Sequence, residues 1–158
     1  MKLFGLALLL FSAFVISREY TGYVKKHLAE SEGFISFIKH MLFEVKCYLK
    51  PPREIVKGFH NDAIAPFLNA ILTEESMYSA FEVSKSALSL SYEECRVLEE
   101  LFSSIGTCYA DDGVRLLDSS VTRLSELNGA LRSDGVRGAR VFGIVSAAVS
   151  VGLFILLI

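Results

Sequence analysis

Apolar residues along this 158-residue chain are arranged in two ways. At the ends they run together: residues 3–17, LFGLALLLFSAFVIS, and residues 141–158, VFGIVSAAVSVGLFILLI, contain no charged side chain. Between the ends they recur by threes and fours, the period of helices with one buried face. Residues 21–49 carry such a stripe at Leu28, Ile35, Ile38, Leu42, Val45 and Leu49. Pro51-Pro52 ends it, because the residue before a proline avoids the α region. Pro52 then suits the first turn of the next helix. Two short apolar pieces follow, Ile55/Val56/Phe59 and Ile64/Phe67/Leu68/Ile71, and Pro66 either kinks the second or sits in its first turn. Met77, Phe81 and Leu88 share a face further on.

Ser91-Tyr92-Glu93-Glu94 is a capping-box pattern ahead of Val97, Leu98, Leu101, Phe102 and Ile105. Gly106 marks the end of that helix or a close contact near it. After Asp111-Asp112 comes a long stripe, Val114, Leu117, Val121, Leu124, Asn128 and Leu131. Asn128 falls on its seam, where a polar residue sets register; exposure beside a membrane is the other reading of it. Gly135 and Gly138 invite a break or bend before the last apolar run. No alternating strand pattern of useful length occurs, so the fold class expected is all-α.

The last run is long enough to cross a bilayer. Eighteen helical residues span roughly 27 Å, against ~30 Å of hydrocarbon. Ala139, Gly143 and Ala147 form a small-residue stripe along it, with Ser146 and Ser150 beside them. Such stripes let a second helix backbone approach closely in lipid. They are expected to face residues 3–17 or a partner subunit. The first run, 15 residues, is short for a span and has the size of a signal-peptide core. Charge placement favours an uncleaved anchor. Arg18, Lys25 and Lys26 follow the first run, and Arg132, Arg137 and Arg140 precede the last. The positive-inside rule then places the middle in the cytoplasm and both termini outside. The expected division is a membrane helix over 1–17, a cytoplasmic helical domain over 18–136 and a second membrane helix over 137–158. The alternative is a secreted helical domain with a C-terminal membrane anchor, its signal cleaved after Ser17 with Val15 at the −3 position.

Composition excludes several functions. Residues 18–140 hold 15 Lys+Arg against 18 Asp+Glu; a nucleic-acid binder would carry a basic excess. Cys47, Cys95 and Cys108 form neither a disulfide framework nor a zinc pattern, and such isolated thiols behave as small buried apolar groups. His27, His40 and His60 pair in no metal-binding spacing and read as surface or capping residues. Glu93-Glu94 and Glu99-Glu100, interleaved with Arg96, read as a solvated helix face. Asp111-Asp112 lacks the alternating acids of a calcium loop and reads as a helix cap. There is no phosphate-binding glycine loop and no serine in a nucleophile elbow. The sequence therefore predicts no enzyme, no cofactor, no metal and no small-molecule substrate. Buried, clustered carboxylates or histidines would favour a small membrane-bound enzyme instead; a dry apolar core would disfavour it.

Two stretches carry a family resemblance. Residues 41–55, MLFEVKCYLKPPREI, are similar to an L-x-x-E-I-x-Y…P-L-x-E-A-L segment, with Glu44, Pro52 and Glu54 in matching places and Tyr48 one position late. Residues 97–127 are similar to L-x-x-f-G-x-x-L-G-x-s-D…Q followed by a long helix. Gly106 matches the second glycine; Phe102 stands at the first, the Asp comes only at Asp111 or Asp112, and the Gln is absent. With this layout the chain resembles stage III sporulation protein AB of endospore-forming Firmicutes, as a divergent member. The resemblance implies a membrane protein of the mother cell, working in the sporulation channel complex that faces the forespore. It implies a cytoplasmic helical bundle similar to the F-type platform domain of type II secretion, docking near the complex's ATPase. Its expected partners are the other proteins of that complex and the membrane, with no catalytic residue to carry over.

Overall fold

The computed structural model describes the backbone of residues 2–48, 52–105 and 110–157, and side chains at 15, 18–45, 54–105, 112–135, 138, 141, 145, 148, 149 and 152. Its regular structure is helical throughout: α1 (Lys2–Tyr48), α2 (Pro52–Lys57), α3 (Ala65–Thr73), α4 (Met77–Ser84), α5 (Tyr92–Ser104) and α6 (Ala110–Leu157). Single 3-10 turns cover Asp62–Ile64 and Lys85–Ala87. No strand occurs among the described residues, in keeping with the all-α expectation. The chain divides into two compact units, Lys26–Ala130 and Met1–Lys25 with Leu131–Ile158. Among the described residues no helix is long and apolar enough to cross a membrane. Most side chains of residues 3–17 and 141–158 lie outside those described.

The local signals act where the sequence places them. Pro52 opens α2, and Pro66 occupies the first turn of α3 without kinking it, its missing N–H being one that a helix start leaves unused. Ser76 caps α4 by accepting from the Ser79 N–H. Ser91 and Glu94 form the complete capping box of α5. Asp111 and Asp112 fall inside the first turn of α6 instead of ahead of it. Carboxylates there still complement the positive end of the helix dipole. The end of α5 is capped by Ile105; Gly106 lies outside the described residues, as does the Tyr48 side chain.

In Lys26–Ala130 the core is built on aromatic rings. Phe34 and Phe37 of α1, Phe67 of α3 and Phe81 of α4 are fully buried, and Phe102 of α5 is 2% exposed. Phe67 stacks on Phe102 with centroids 5.0 Å apart and lies 5.1 Å from Phe34. Phe34 meets Phe81 edge-on at 5.9 Å. Rings at these separations gain quadrupole energy beyond area burial. The buried face of α1 is therefore Phe34, Phe37, Ile38 and Met41, whereas Ile35, Leu42 and Val45 are only half buried. This shifts the aliphatic stripe by about one position, because the phenylalanines take the centre of the face. The α5 and α6 stripes fall as expected, and Asn128 is 8% exposed, on the buried seam. Gly33 brings α1 against the Asp62–Ile64 turn: a Cβ there would lie 2.9 Å from Ile64 Cγ2 and 3.2 Å from Asn61 Oδ1.

In the other unit, α6 does not break at its glycines. A Cβ on Gly135 would lie 2.8 Å from Val24 Cγ1, and one on Gly138 would lie 3.1 Å from the Tyr20 hydroxyl. These glycines allow close approach of α1, and α6 runs through them without a break. The pairing of Val24 with Gly135 and Tyr20 with Gly138 makes the two segments antiparallel.

Candidate functional site

The concentration of buried polar groups lies where α1 meets the start of α5. His27 is 5% exposed, Glu30 2%, Ser31 1% and Glu94 1%. One carboxylate oxygen, Glu94 Oε2, collects three donors. His27 Nε2–H donates at 2.5 Å, the Ser91 hydroxyl at 2.7 Å and the Ser91 backbone N–H at 2.8 Å. Burial opposes ionisation of this carboxyl, but donation from His27, Ser31 and Ser91 outweighs it and holds the group below the usual carboxylate range. The Ser31 hydroxyl sits beside the carboxylate but too poorly aligned to form a full hydrogen bond. One turn along α1, Glu30 accepts the Ser89 N–H at 2.5 Å and pairs with Lys26 at 3.5 Å. Lys26 also reaches the Ala87 carbonyl at 3.5 Å. Two carboxylates and a histidine thereby fasten the Leu88–Ser91 connection and the α5 N-terminus to α1.

This cluster corrects two sequence readings. His27 is neither a surface nor a capping residue, and Glu94 is not on a solvated face. The partner of each comes from 67 residues away, beyond the reach of any local pattern. The only foretaste was the capping box, which already required Glu94 to fold back onto Ser91. The remaining acids of the run behave as expected for a solvated face: Glu93 is exposed, Glu99 pairs with Lys85, and Glu100 meets Arg123 at 3.3 Å. His40 is half buried against the Phe59 ring at 5.4 Å, and His60 is exposed.

The arrangement favours holding over turnover. The Ser91 hydroxyl and His27 both donate to the same oxygen, so the imidazole does not stand as a base to the serine. A carboxyl held ionised is a poor proton donor at neutral pH. Buried carboxylates and a histidine are thus present together with an apolar aromatic core, and their geometry is that of a polar clasp. A separate open groove of about 300 Å³ lies beside α2 and α3, lined by Val56, Phe59, His60, Asp62, Leu68 and Leu72 among others. Among the described residues no three His, Cys, Asp or Glu side chains converge to hold a metal. Cys95 is buried and free, and burial pushes its thiol up; Cys47 and Cys108 lie outside the side chains described. Ala139, Gly143 and Ala147 are in the helical backbone of α6, but their side chains also lie outside those described.

The sequence model for stage III sporulation protein AB matches residues 2–158. This chain belongs to that family. A solved structure of stage III sporulation protein AB (SpoIIIAB) is similar at 13% identity and a TM-score of 0.56, over 70% of this chain and 97% of the other. At that identity the likeness is one of fold. Among curated proteins none matches. The Phe102 ring fills the core between Phe67, Phe81 and Phe34.

Proposed function

We propose that this chain is a non-enzymatic, membrane-anchored assembly component of the sporulation channel complex between mother cell and forespore. Residues 1–17 and 137–158 are its anchors. Lys26–Ala130 lies on the cytoplasmic, mother-cell side and docks near the complex's ATPase. The observation that carries this reading is the family match over residues 2–158, which takes in both apolar ends as well as the helical unit. The clasp supports it: His27, Glu30 and Glu94 Oε2 hold α1 against the Leu88–Ser91 connection and the start of α5.

The small-residue stripe has a role in the same reading. At about 100° per residue, positions 139, 143 and 147 lie on the side of α6 opposite Val141, Val145 and Val149, which are 58%, 53% and 55% exposed. Ala139, Gly143 and Ala147 would then face residues 3–17 or a partner subunit.

Crosslinking from the cytoplasmic face in sporulating cells should capture the ATPase; capture of unrelated proteins alone overturns the assignment. Mapping the processed N-terminus tests the topology. A mature chain beginning at Arg18 would exclude the two-anchor form.

A further inference from the structure

Charge divides along the same boundary as the contacts. Lys26–Ala130 holds 10 Lys+Arg against 16 Asp+Glu, whereas Met1–Lys25 with Leu131–Ile158 holds six against two. In that second unit Arg18, Lys25 and Arg132 are exposed, and none of the ion pairs among the described residues engages them. Tyr20 and Tyr23, 45% and 55% exposed, lie between Arg18 and Lys25.

The antiparallel contacts of Val24 with Gly135 and Tyr20 with Gly138 set the levels of these side chains. Arg132 comes within a helical turn of Lys25, and Val141 comes level with Arg18. The exposed valine face of α6 starts at Val141 and runs away from the tyrosines. Along the axis the order is uncharged apolar surface, then Arg18 with exposed Glu19 beside it, then Tyr20 and Tyr23, then Lys25 and Arg132 with exposed Asp134 level with Lys25. Arg18 and Lys25 are roughly 10 Å apart along the helix, comparable to one headgroup layer of a bilayer. Tyrosine is enriched at that depth, with its ring toward lipid and its hydroxyl toward water.

We propose that this collar, Arg18, Tyr20, Tyr23, Lys25 and Arg132, binds the anionic headgroups of glycerophospholipids and gathers acidic lipid around the chain. The inference rests on the membrane-anchored reading and adds a preferred lipid class to it. Charge complementarity selects the occupant, because Arg18, Lys25 and Arg132 outnumber Glu19 and Asp134 at this level and a zwitterionic headgroup offers that cationic excess no net charge. The uncharged apolar face that begins level with Arg18 selects a bilayer over a soluble anion.

The test uses the full chain in phosphatidylcholine bilayers doped with spin-labelled phosphatidylglycerol or spin-labelled phosphatidylcholine. Electron paramagnetic resonance reads the fraction of each lipid immobilised at the protein. Phosphatidylglycerol should be preferred about threefold, a gain within reach of three cations near an anionic surface. The preference should fall toward unity in the Arg18→Gln/Lys25→Gln/Arg132→Gln variant and, for the wild-type chain, in high salt. Equal immobilisation of the two lipids overturns the headgroup site and leaves the anchors standing. So does a preference that survives both the triple substitution and salt. Loss of the preference only when protein is diluted identifies an acidic surface of a second copy as the occupant and also overturns the proposal. Immobilisation of neither lipid removes the anchored reading itself.

Discussion

Glu94 carries the clasp because one of its oxygens serves two purposes at once, closing the helix cap and receiving His27. Glu94→Gln keeps the shape and removes the charge, so the three donors lose their charge-assisted bonds. About 2 kcal/mol of stability should be lost at pH 7 by chemical denaturation. The pH dependence follows from the lowered value. A depressed carboxyl contributes fully above its unfolded value of 4.5 and loses that contribution as pH falls through the folded value. The gap between wild type and Glu94→Gln should therefore hold near pH 7 and close below about pH 4.5. A second pair of substitutions separates close approach from helix propensity. Gly33→Ala places a methyl against Ile64 and Asn61 and should destabilise by about 1–3 kcal/mol. Gly129→Ala, in an exposed part of α6 with nothing within 4 Å of its Cβ position, should stabilise by about 0.5–1 kcal/mol. Both are read from denaturation midpoints.

At the scale of elements, the caps and prolines were legible and the glycines were not. Pro52, Pro66 and the Ser91–Glu94 box act through bonds within a few residues of themselves, so their meaning is complete in the sequence. Ser91→Ala removes both the hydroxyl bond to Glu94 Oε2 at 2.7 Å and the acceptor for the Glu94 N–H at 3.3 Å. It should cost about 1–2 kcal/mol, seen as a lowered unfolding midpoint. Gly135 and Gly138 look like breakers by residue type alone. Their use is set by Val24 and Tyr20 on another helix, which no local window contains. The same holds for His27, an isolated histidine until α5 is folded against it.

At the scale of the whole molecule, six phenylalanines from α1, α3, α4, α5 and the segment after α2 tie Lys26–Ala130 together. Phe67 meets Phe34, Phe37, Phe81 and Phe102. Phe67→Ala should therefore cost about 3–5 kcal/mol, enough to lose the cooperative thermal transition of a marginal unit. The circular-dichroism melt of the full chain in detergent checks this. Phe102 belongs to the same cluster, so Phe102→Gly would leave a cavity here.

The sequence by itself determined the helical class, the prolines and capping box that open α2, α3 and α5, the apolar ends and the family. Each of these rests on periodicity, run length or short-range bonding, which are properties of neighbours along the chain. Only the tertiary structure decided which apolar residues form the core face of α1, that the α6 glycines are contact points, and that His27 and Glu94 are buried partners. Those depend on groups far apart in sequence meeting in space, where desolvation and steric fit act and a local pattern carries no record of either.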